Sequence, residues 1–321
     1  MTDPSIKLSI CIPAYNRPDG LKRALESIVL QKGFNLEELE IVITDDSTGS
    51  ECKEVSETVL RKWTGKWRYV HNVPRLGMAQ NWNHAIRLSS GRYILVLHDD
   101  DYLLENKISS IFQGIDNAKG DKAVLLFGVH VVNPQQHVIK RQVFKSTHYL
   151  TPRKSLESVL SNSSFVRFPG IVITKSAFHE TGYFNEEVGE IADLDMWVRL
   201  FKKYGVWCFS ETIAAYTVHN QALTMQMFNR KVAYQILSLF KEVQNYSLFS
   251  ETELDKFKSN FFHQFILAGT FRHLRRKRYK EASETISLFQ ISEISRLNTS
   301  PKWIPLRILF ELVIKLSPSF S

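Results

Sequence analysis

Residues 93–101 are Tyr93-Ile94-Leu95-Val96-Leu97-His98-Asp99-Asp100-Asp101, an apolar run that ends in three consecutive carboxylates. The five apolar residues indicate a buried β-strand. Three adjacent like charges are costly to hold together unless a cation or a phosphate-bearing ligand uses them. Open α/β folds bind their ligands at the carboxyl ends of the strands, and oxygen ligands suit Mg²⁺ or Mn²⁺. The stretch therefore predicts an α/β fold with a cation site at a strand end.

The residues before this strand alternate between strand and helix patterns. Strand-like runs at Lys7–Ile12, Leu39–Thr44 and Arg68–His71 are separated by helical spacing over residues 18–31, 52–63 and 79–89. Such alternation predicts parallel strands joined by right-handed crossovers. Leu39–Thr44 runs directly into Asp45-Asp46. We therefore expect this acidic pair and the cluster at 99–101 to meet at one edge of the sheet.

The middle of the chain continues the pattern less regularly. Residues 123–132 and Ile171–Thr174 are typical of strands, and Ala192–Tyr204 is typical of a helix. Residues 133–165 are polar and show no clear period, so we expect loops there.

Composition and cysteine usage favour a cytoplasmic globular protein. Of the 321 residues, 44% are hydrophobic and 23% are charged, which is ordinary for such proteins. The three cysteines lie far apart with no metal-ligand spacing, which favours reduced thiols. The sequence shows neither a signal-peptide pattern nor an apolar run long enough to cross a bilayer.

Charge divides the chain near residue 225. Residues 226–321 contain 15 Lys or Arg and 8 Asp or Glu, whereas residues 1–225 contain 26 and 25. We therefore expect a domain at 1–225 and a basic, helical C-terminal module at 226–321. The module could contact an anionic membrane surface or a second copy in a homo-oligomer, or it could be a packed helical unit with solvated charge. Few aromatic residues interleave the basic run Arg272–Arg278, so nucleic acid is not an expected partner.

One helix of this module is unusual. The only charges in Leu306–Leu316 are Arg307, Glu311 and Lys315, spaced four apart, so they form one narrow polar stripe on an otherwise apolar helix.

Several segments, in this order and spacing, resemble the motifs of inverting family 2 glycosyltransferases of the GT-A fold. They are Ser9–Arg17, Val42–Ser47, Gly77–Ala85, Gly91–Asp101, Gly182–Glu186, Asp193–Leu200 and Tyr216–His219. The resemblance covers roughly residues 6–224. It implies a Rossmann-like, mostly parallel central sheet flanked by helices, followed here by the α-helical module. It also implies transfer of a sugar from a nucleoside-diphosphate sugar to an acceptor hydroxyl.

The resemblance implies roles for residues near the donor. Pro13 and Tyr15 would line the pocket for the nucleotide base, and Asp46 would accept hydrogen bonds from the base or ribose. Arg17 would lie near the phosphates, although a solvated surface arginine is an equal alternative. For Asp46 the alternative is a helix N-cap. Asn83 is a further candidate for donor binding.

The metal motif departs from the usual Asp-x-Asp pattern, because His98 stands at its first position. Two registers stay open, His98-x-Asp100 and Asp99-x-Asp101. We expect Asp100 to be the main ligand of Mn²⁺ or Mg²⁺, with Asp101 in support and Asp99 directed towards the ribose. His219 is a further candidate ligand, although a lone histidine is as often structural.

The resemblance makes Asp193 the general base, which takes the proton from the acceptor hydroxyl. Asp195 ranks second. The alternative for both is an acidic residue that is favoured in the first turn of a helix.

The expected acceptor is a glycan or a lipid-linked glycan in polysaccharide biosynthesis, reached in the cytoplasm or at the inner face of the cell membrane. Two other functions stay open. A nucleotidyltransferase that makes nucleotide sugars would share the acidic metal site, but it should have a Gly-rich N-terminal loop where Pro13–Arg17 stands. A non-catalytic scaffold that binds sugar nucleotides is the other alternative.

Overall fold

The computed structural model describes residues 5–117, 122–218 and 227–317. These residues form two compact units. The first contains the described residues of 1–155, 166–187 and 196–219, and the second those of 156–165, 188–195 and 220–321. The domain boundary near residue 225 stays a prediction.

Ten strands are present in the described part of the chain. They are β1 Leu8–Ala14, β2 Leu39–Asp45, β3 Lys66–His71, β4 Tyr93–Val96, β5 Tyr102–Leu103, β6 Val124–Val132, β7 Val138–Gln142, β8 His148–Leu150, β9 Ile171–Thr174 and β10 Val206–Thr217. The main sheet has the order β3-β2-β1-β4-β9-β6-β10-β5, with β7 on β6 and β8 on β10.

The helices alternate with these strands and then continue alone. They are α1 Pro18–Val29, α2 Glu51–Leu60, α3 Met78–Leu88, α4 Lys107–Asp116, α5 Pro152–Ser161, α6 Lys175–Thr181, α7 Ala192–Tyr204, α8 Arg230–Gln244, α9 Glu251–Leu274, α10 Tyr279–Ile286, α11 Ser292–Ser295 and α12 Ile304–Lys315.

The N-terminal half of the sheet is parallel, as predicted. Strand β1 pairs in parallel with β2 on one side and β4 on the other, and β3 joins β2. Every residue of β1, β2 and β4 is buried. Continuous apolar runs of this kind are typical of parallel strands covered on both faces. Helix α1 supplies part of the cover through Leu21, Ala24, Leu25 and Ile28, which are all buried.

The other half of the sheet is mixed. Strand β9 pairs antiparallel with β4 and β6, while β6 and β10 pair in parallel. The expectation of loops throughout 133–165 is wrong, because β7, β8 and α5 lie there. Strand β7 is almost entirely exposed and is held by backbone pairing to β6, so it has no apolar alternation to detect. Helix α5 did carry a signal, since Leu156, Val159 and Leu160 are buried at helical spacing.

The second unit is helical after residue 227, as predicted. In α8 the apolar residues Val232, Ile236, Leu239, Phe240 and Val243 recur at helical spacing, which predicts one apolar face, and all five are buried. In α9 the same spacing predicts a face of Leu254, Phe257, Phe261, Phe265 and Ile266, and these residues are buried too. Helix α9 begins with a capping box, in which Ser250 and Glu253 satisfy each other's backbone N–H groups. Within the described ranges, no helix combines the length and apolarity that a bilayer crossing requires.

Candidate active site

The ends of two parallel strands bring the acidic residues of the first unit to one edge of the sheet. Strands β2 and β4 flank β1, with Ala14 opposite Asp45 and Cys11 opposite Val96. The backbone N–H of Asp46 donates to Ala14, and that of Leu97 donates to Cys11. The segments that follow β2 and β4 therefore both leave the sheet beside the end of β1, as the sequence predicted.

Asp46 accepts three hydrogen bonds within the protein. Its Oδ1 accepts from Nδ2 of Asn72 (2.7 Å) and the N–H of Leu76 (3.1 Å), and its Oδ2 accepts from the N–H of Gly77 (2.7 Å). A carboxylate offers about four lone-pair sites, so about one stays for a ligand. The N-cap alternative is wrong, because α2 begins at Glu51 with Ser50 as its N-cap.

Asp45 is buried, and both of its carboxylate oxygens accept hydrogen bonds within the fold. Its Oδ1 accepts from the N–H of Ser47 (2.8 Å) and its Oδ2 from the hydroxyl of Tyr69. Burial raises the pKa of Tyr69, and the neighbouring Asp45 raises it further.

Asp99 binds the loop that follows β1. Its Oδ2 accepts from the N–H of Tyr15 (2.8 Å), and its Oδ1 accepts from Nη1 of Arg17 (3.1 Å). The same Nη1 lies 2.9 Å from Oδ2 of Asp100. Burial, and then the charge of Asp100, raises the pKa of Asp99 to about 7 despite the opposing effect of Arg17. Arg17 thus lies on the carboxylates rather than in solvent.

Helix α1 approaches this cluster closely. A Cβ at Gly20 would overlap the carbonyl oxygen of Asp99, so this position needs a glycine. Arg23 on the same helix donates to the carbonyl of Asp100 (2.6 Å). The backbone of the cluster is therefore anchored by α1.

Asp101 is half satisfied. Its Oδ1 accepts from the N–H of Thr217 at the end of β10 (2.8 Å). Its Oδ2 is buried and has no hydrogen-bond partner among the described residues. Burial, and then the charge of Asp100, raises the pKa of Asp101 well above its ordinary value.

The ring nitrogen Nε2 of His98 is buried without a hydrogen-bond partner in the described parts of the chain, as Oδ2 of Asp101 is. One ligand atom each from His98, Asp100 and Asp101 can be chosen so that all three lie within 4.8 Å of one another. Two buried polar atoms without partners among the described residues, together with the nearby carboxylate of Asp100, are the kind of donor set that a divalent cation needs. The residues present therefore fit the predicted ion.

Aromatic rings hold His98 in place. Its ring lies 5.2 Å from that of Trp82 and 4.3 Å from that of Phe168, measured between centroids. Phe168 in turn contacts Phe184 and Trp197. Burial lowers the pKa of His98 to about 4, so the imidazole is neutral at physiological pH and able to ligate a metal. The sequence offered no signal for these rings, which come from separate segments of the chain.

Pro13 lies just before the end of β1 in the sequence, and Tyr15 lies just after it. Pro13 is buried within β1, whereas Tyr15 is exposed in the following loop. The guanidinium of Arg75 lies 4.5 Å from the centroid of the Tyr15 ring. Both side chains are exposed, and the residues that follow Arg75 along the chain, Leu76 and Gly77, donate to Asp46.

Asn83 is held by two hydrogen bonds to the backbone of Phe184. It is fully buried, its Nδ2 donates to the carbonyl of Phe184 (2.8 Å), and its Oδ1 accepts from the N–H of Phe184 (2.9 Å). Asn83 therefore fixes one ring of the aromatic group behind His98. A direct contact between Asn83 and a donor stays a prediction.

Asp193 belongs to the second unit. It is the second residue of α7, half-buried, and its Oδ1 accepts from the N–H of Leu194 (2.7 Å). The turn before α7 is tied to α8, because Glu190 binds Nζ of Lys231 (2.9 Å) and Nε2 of Gln235 (2.9 Å). The role of Asp193 as base stays a prediction, and so does that of Asp195, which is buried in the same turn. His219, the other predicted metal ligand, lies outside the described residues.

The family follows from comparison with known proteins. The model of glycosyl transferase family 2 matches residues 9–181, more than half of the 321 residues. The chain therefore belongs to glycosyl transferase family 2.

One relative from Campylobacter jejuni subsp. jejuni serotype O:2 is described as GalNAc(5)-diNAcBac-PP-undecaprenol beta-1,3-glucosyltransferase. It is 25% identical over 201 residues, which cover 61% of this chain and 60% of the relative. The matches span 64% and 60% of the length of two curated relatives and 31% of a third.

Two solved structures share the fold. TarS 1–349 of S. aureus in complex with UDP has a TM-score of 0.64 at 18% identity, covering 96% of this chain and 87% of that one. A mannosyltransferase from Pyrobaculum calidifontis, in complex with GDP-Man and Mn²⁺, has a TM-score of 0.57 at 12% identity, covering 100% and 84%. The predicted GT-A fold with a C-terminal helical region is confirmed.

Proposed function

We propose that this chain is a metal-dependent, inverting glycosyltransferase. It would transfer a sugar from a nucleoside-diphosphate sugar to an acceptor hydroxyl. One observation carries the proposal. In a family 2 chain, the end of β4 holds His98, Asp100 and Asp101 within ligand distance of one another, and two of them have buried atoms without a hydrogen-bond partner in the described ranges.

The three residues would hold Mn²⁺ or Mg²⁺. When bound, the cation would neutralise the charge that develops on the nucleoside diphosphate as it leaves. His98 would contribute a neutral imidazole nitrogen, which favours Mn²⁺ over Mg²⁺ because Mg²⁺ prefers oxygen ligands. Arg17 balances part of the carboxylate charge while no cation is present, and its reach to both Asp99 and Asp100 supports a later contact with phosphate oxygens.

The donor would lie on the surface made by the ends of β1 and β2. The Tyr15–Arg75 pair supports stacking of a nucleotide base, and the remaining lone pair of Asp46 would accept from its edge. Pro13 would shape the floor of this pocket from within β1. Asn83 would act through Phe184, and Asp99 would orient Tyr15 and the ribose. The nucleotides bound in the two solved structures, UDP and GDP-Man, support this ligand class.

Asp193 would take the proton from the acceptor hydroxyl as that oxygen attacks the anomeric carbon. One displacement with one base inverts the anomeric centre. The position of Asp193 in the first turn of α7 supports this role, because a helix N-terminus favours a carboxylate there.

The acceptor would be a glycan or a lipid-linked glycan in polysaccharide biosynthesis. The relative from C. jejuni carries an undecaprenol-linked acceptor in its name, which supports this class. The enzyme would then work in the cytoplasm, peripherally associated with the inner face of the membrane.

Nucleotide release from a panel of UDP-, GDP- and dTDP-sugars, with and without Mn²⁺, tests the proposal. We expect one donor class to be turned over only with the metal. Asp100→Asn and Asp193→Asn should each lower turnover by about 100-fold or more, while Asp116→Asn, an exposed carboxylate on α4, should not. Thermal melts confirm that each variant is folded.

Three outcomes would contradict the proposal. Near-normal turnover in folded Asp100→Asn or Asp193→Asn would remove the assigned roles. Pyrophosphate release from a nucleoside triphosphate and a sugar phosphate would indicate the nucleotidyltransferase. Calorimetric binding of nucleoside diphosphates without any turnover would indicate a scaffold. NMR of the anomeric proton in the product reports inversion directly.

A further inference from the structure

The outer face of α12 is apolar where a helix on a protein surface is normally polar. Apart from Ile304 in its first turn, six large apolar residues of α12 and its C-cap are exposed, with relative exposures from 36% to 84%: Leu306, Ile308, Leu309, Leu312, Val313 and Leu316. We call these six the α12 face. Exposed apolar surface that is contiguous in this way marks an interaction site.

The helix geometry makes the face continuous. Successive residues of an α-helix differ by about 100°, which places the six within an arc of about 160°. Phe310 and Ile314 lie on the opposite side and are buried. The α12 face is therefore the outer surface of a helix that is already packed, rather than a helix that lacks its core contact.

The charged stripe of α12 lies between the buried side and the α12 face. Arg307 Nε pairs with Glu311 Oε1 at 2.9 Å, and the Arg307 guanidinium lies 4.3 Å from the centroid of Phe289. These two charges offset each other. Lys315 then gives the exposed rim of the helix a positive charge.

A basic cluster adjoins the same helix. Phe271, in the last turn of α9, is exposed and stacks on Phe310 of α12 with centroids 6.1 Å apart. The run Arg272–Arg278 begins at the next residue and carries four arginines and one lysine. Arg275, Lys277 and Arg278 are exposed. Burial, and then the charges of Arg278 and Arg275, lower the pKa of Arg276, as expected where like charges crowd together.

We propose that the α12 face and the basic cluster together dock this protein on an anionic lipid surface. Helix α12 has 12 residues, or about 18 Å, and so would lie along the interface rather than across it. Its leucines and isoleucines would enter the acyl boundary, while the arginines and lysines contact the headgroups. This inference does not rest on the proposed reaction.

Charge favours lipid over a second copy of the chain. The cores of homodimer interfaces are depleted of charge. A symmetric contact between two copies through the α12 face would bring their two basic clusters towards each other. The six apolar residues of the α12 face supply no acidic side chain to offset that charge. An anionic bilayer supplies both the apolar layer and the opposite charge.

Vesicle flotation of the full chain tests the proposal. We expect binding to vesicles of phosphatidylcholine mixed with phosphatidylglycerol, and much weaker binding to phosphatidylcholine alone. Leu309→Glu combined with Leu312→Glu should lower binding at least about tenfold, because two exposed leucines lose their apolar transfer. Leu30→Glu, at an exposed leucine that caps the end of α1, serves as the control and should bind like wild type.

A second double variant separates the contribution of charge to vesicle binding from the contribution of apolar burial. Arg275→Ala combined with Lys277→Ala should lower binding to the anionic vesicles about tenfold and leave the weak binding to phosphatidylcholine unchanged. Both double variants change exposed side chains, and circular dichroism checks their folding. Equal binding of folded wild type and Leu309→Glu/Leu312→Glu would overturn the proposal. So would a wild-type dimer in sedimentation that the same variant converts to monomer, with no vesicle binding by either protein.

Discussion

Two strands on either side of β1 end in aspartates, and the two ends are equipped differently. At the end of β2, Asp46 accepts three hydrogen bonds, two of them from the backbone at Leu76 and Gly77. At the end of β4, Asp101 Oδ2 and His98 Nε2 are buried without a hydrogen-bond partner in the described residues. Burial and mutual repulsion also raise the pKa of Asp99 and Asp101.

The difference separates a carboxylate whose oxygens accept hydrogen bonds from a loop from carboxylates that have few donors. A buried charge with several N–H donors stabilises the fold. Buried carboxylates that face each other with few donors cost stability until a cation binds, and such groups are characteristic of functional sites. The same change from aspartate to asparagine should therefore have different consequences at the two strand ends.

The largest effect is expected at Asp100. Asp100→Asn should abolish Mn²⁺ binding and lower kcat/KM by at least about 100-fold, because the loss of a direct ligand exceeds the effect of outer contacts. Calorimetric titration with Mn²⁺ and steady-state kinetics measure the two effects. Unchanged Mn²⁺ affinity in the folded variant would remove the cation from this strand end.

At Asp46 the expected effect is on stability. Asp46→Asn should lower the free energy of unfolding by about 2 kcal/mol, because an amide has one acceptor oxygen and its NH₂ group would face N–H donors. Urea unfolding without added metal measures the change. An unfolding midpoint equal to that of wild type would mean that the loop at 72–77 does not depend on this carboxylate.

Asp101→Asn should behave in the opposite way. In the presence of a chelator its free energy of unfolding should equal that of wild type or exceed it by up to about 1 kcal/mol, because the amide keeps an acceptor for Thr217 and removes a disfavoured charge. Addition of Mn²⁺ should raise the Tm of wild type but not of this variant. A loss of stability as large as that of Asp46→Asn would break the distinction between the two ends.

The smallest effect concerns His84, which supports the β2 end. Its Nδ1 lies 2.8 Å from Oδ1 of Asn72, the residue that donates to Asp46. Burial, and then Arg87, lower the pKa of His84 below its ordinary value of 6.5. The unfolded chain therefore takes up a proton before the folded chain does, so this contribution to stability is present above pH 6.5 and is lost as the pH falls from there towards the lower, folded-state pKa.

We expect His84→Gln to lose less Tm than wild type between about pH 7.5 and about pH 5.5. His137→Gln, at an exposed histidine, is the matched control. Parallel pH profiles for wild type and His84→Gln would show that this histidine does not report on the β2 end.

Much of the architecture could be predicted because periodicity is local. The parallel strands, the helices α1, α3, α7 and α8, and the meeting of two acidic strand ends follow from patterns within about a dozen residues. Strand β7 could not be predicted, because its exposed residues are held by pairing with β6 rather than by their own pattern. Nor could the partner of Arg17, since a long basic side chain reaches many positions.

The sequence by itself determined the family, the sheet edge and the identity of the acidic residues, because each depends on neighbours along the chain. Only the tertiary structure decided which aspartates are satisfied. The donor to Asp101 comes from Thr217, 116 positions away, and the donor to Asp99 from Tyr15, 84 positions away. It also decided that His98, which stands where the usual motif has an aspartate, packs against Trp82 and Phe168 and has a ring nitrogen within 4.8 Å of oxygens of Asp100 and Asp101. Hydrogen-bond satisfaction and burial depend on contacts between distant segments, and no local pattern records them.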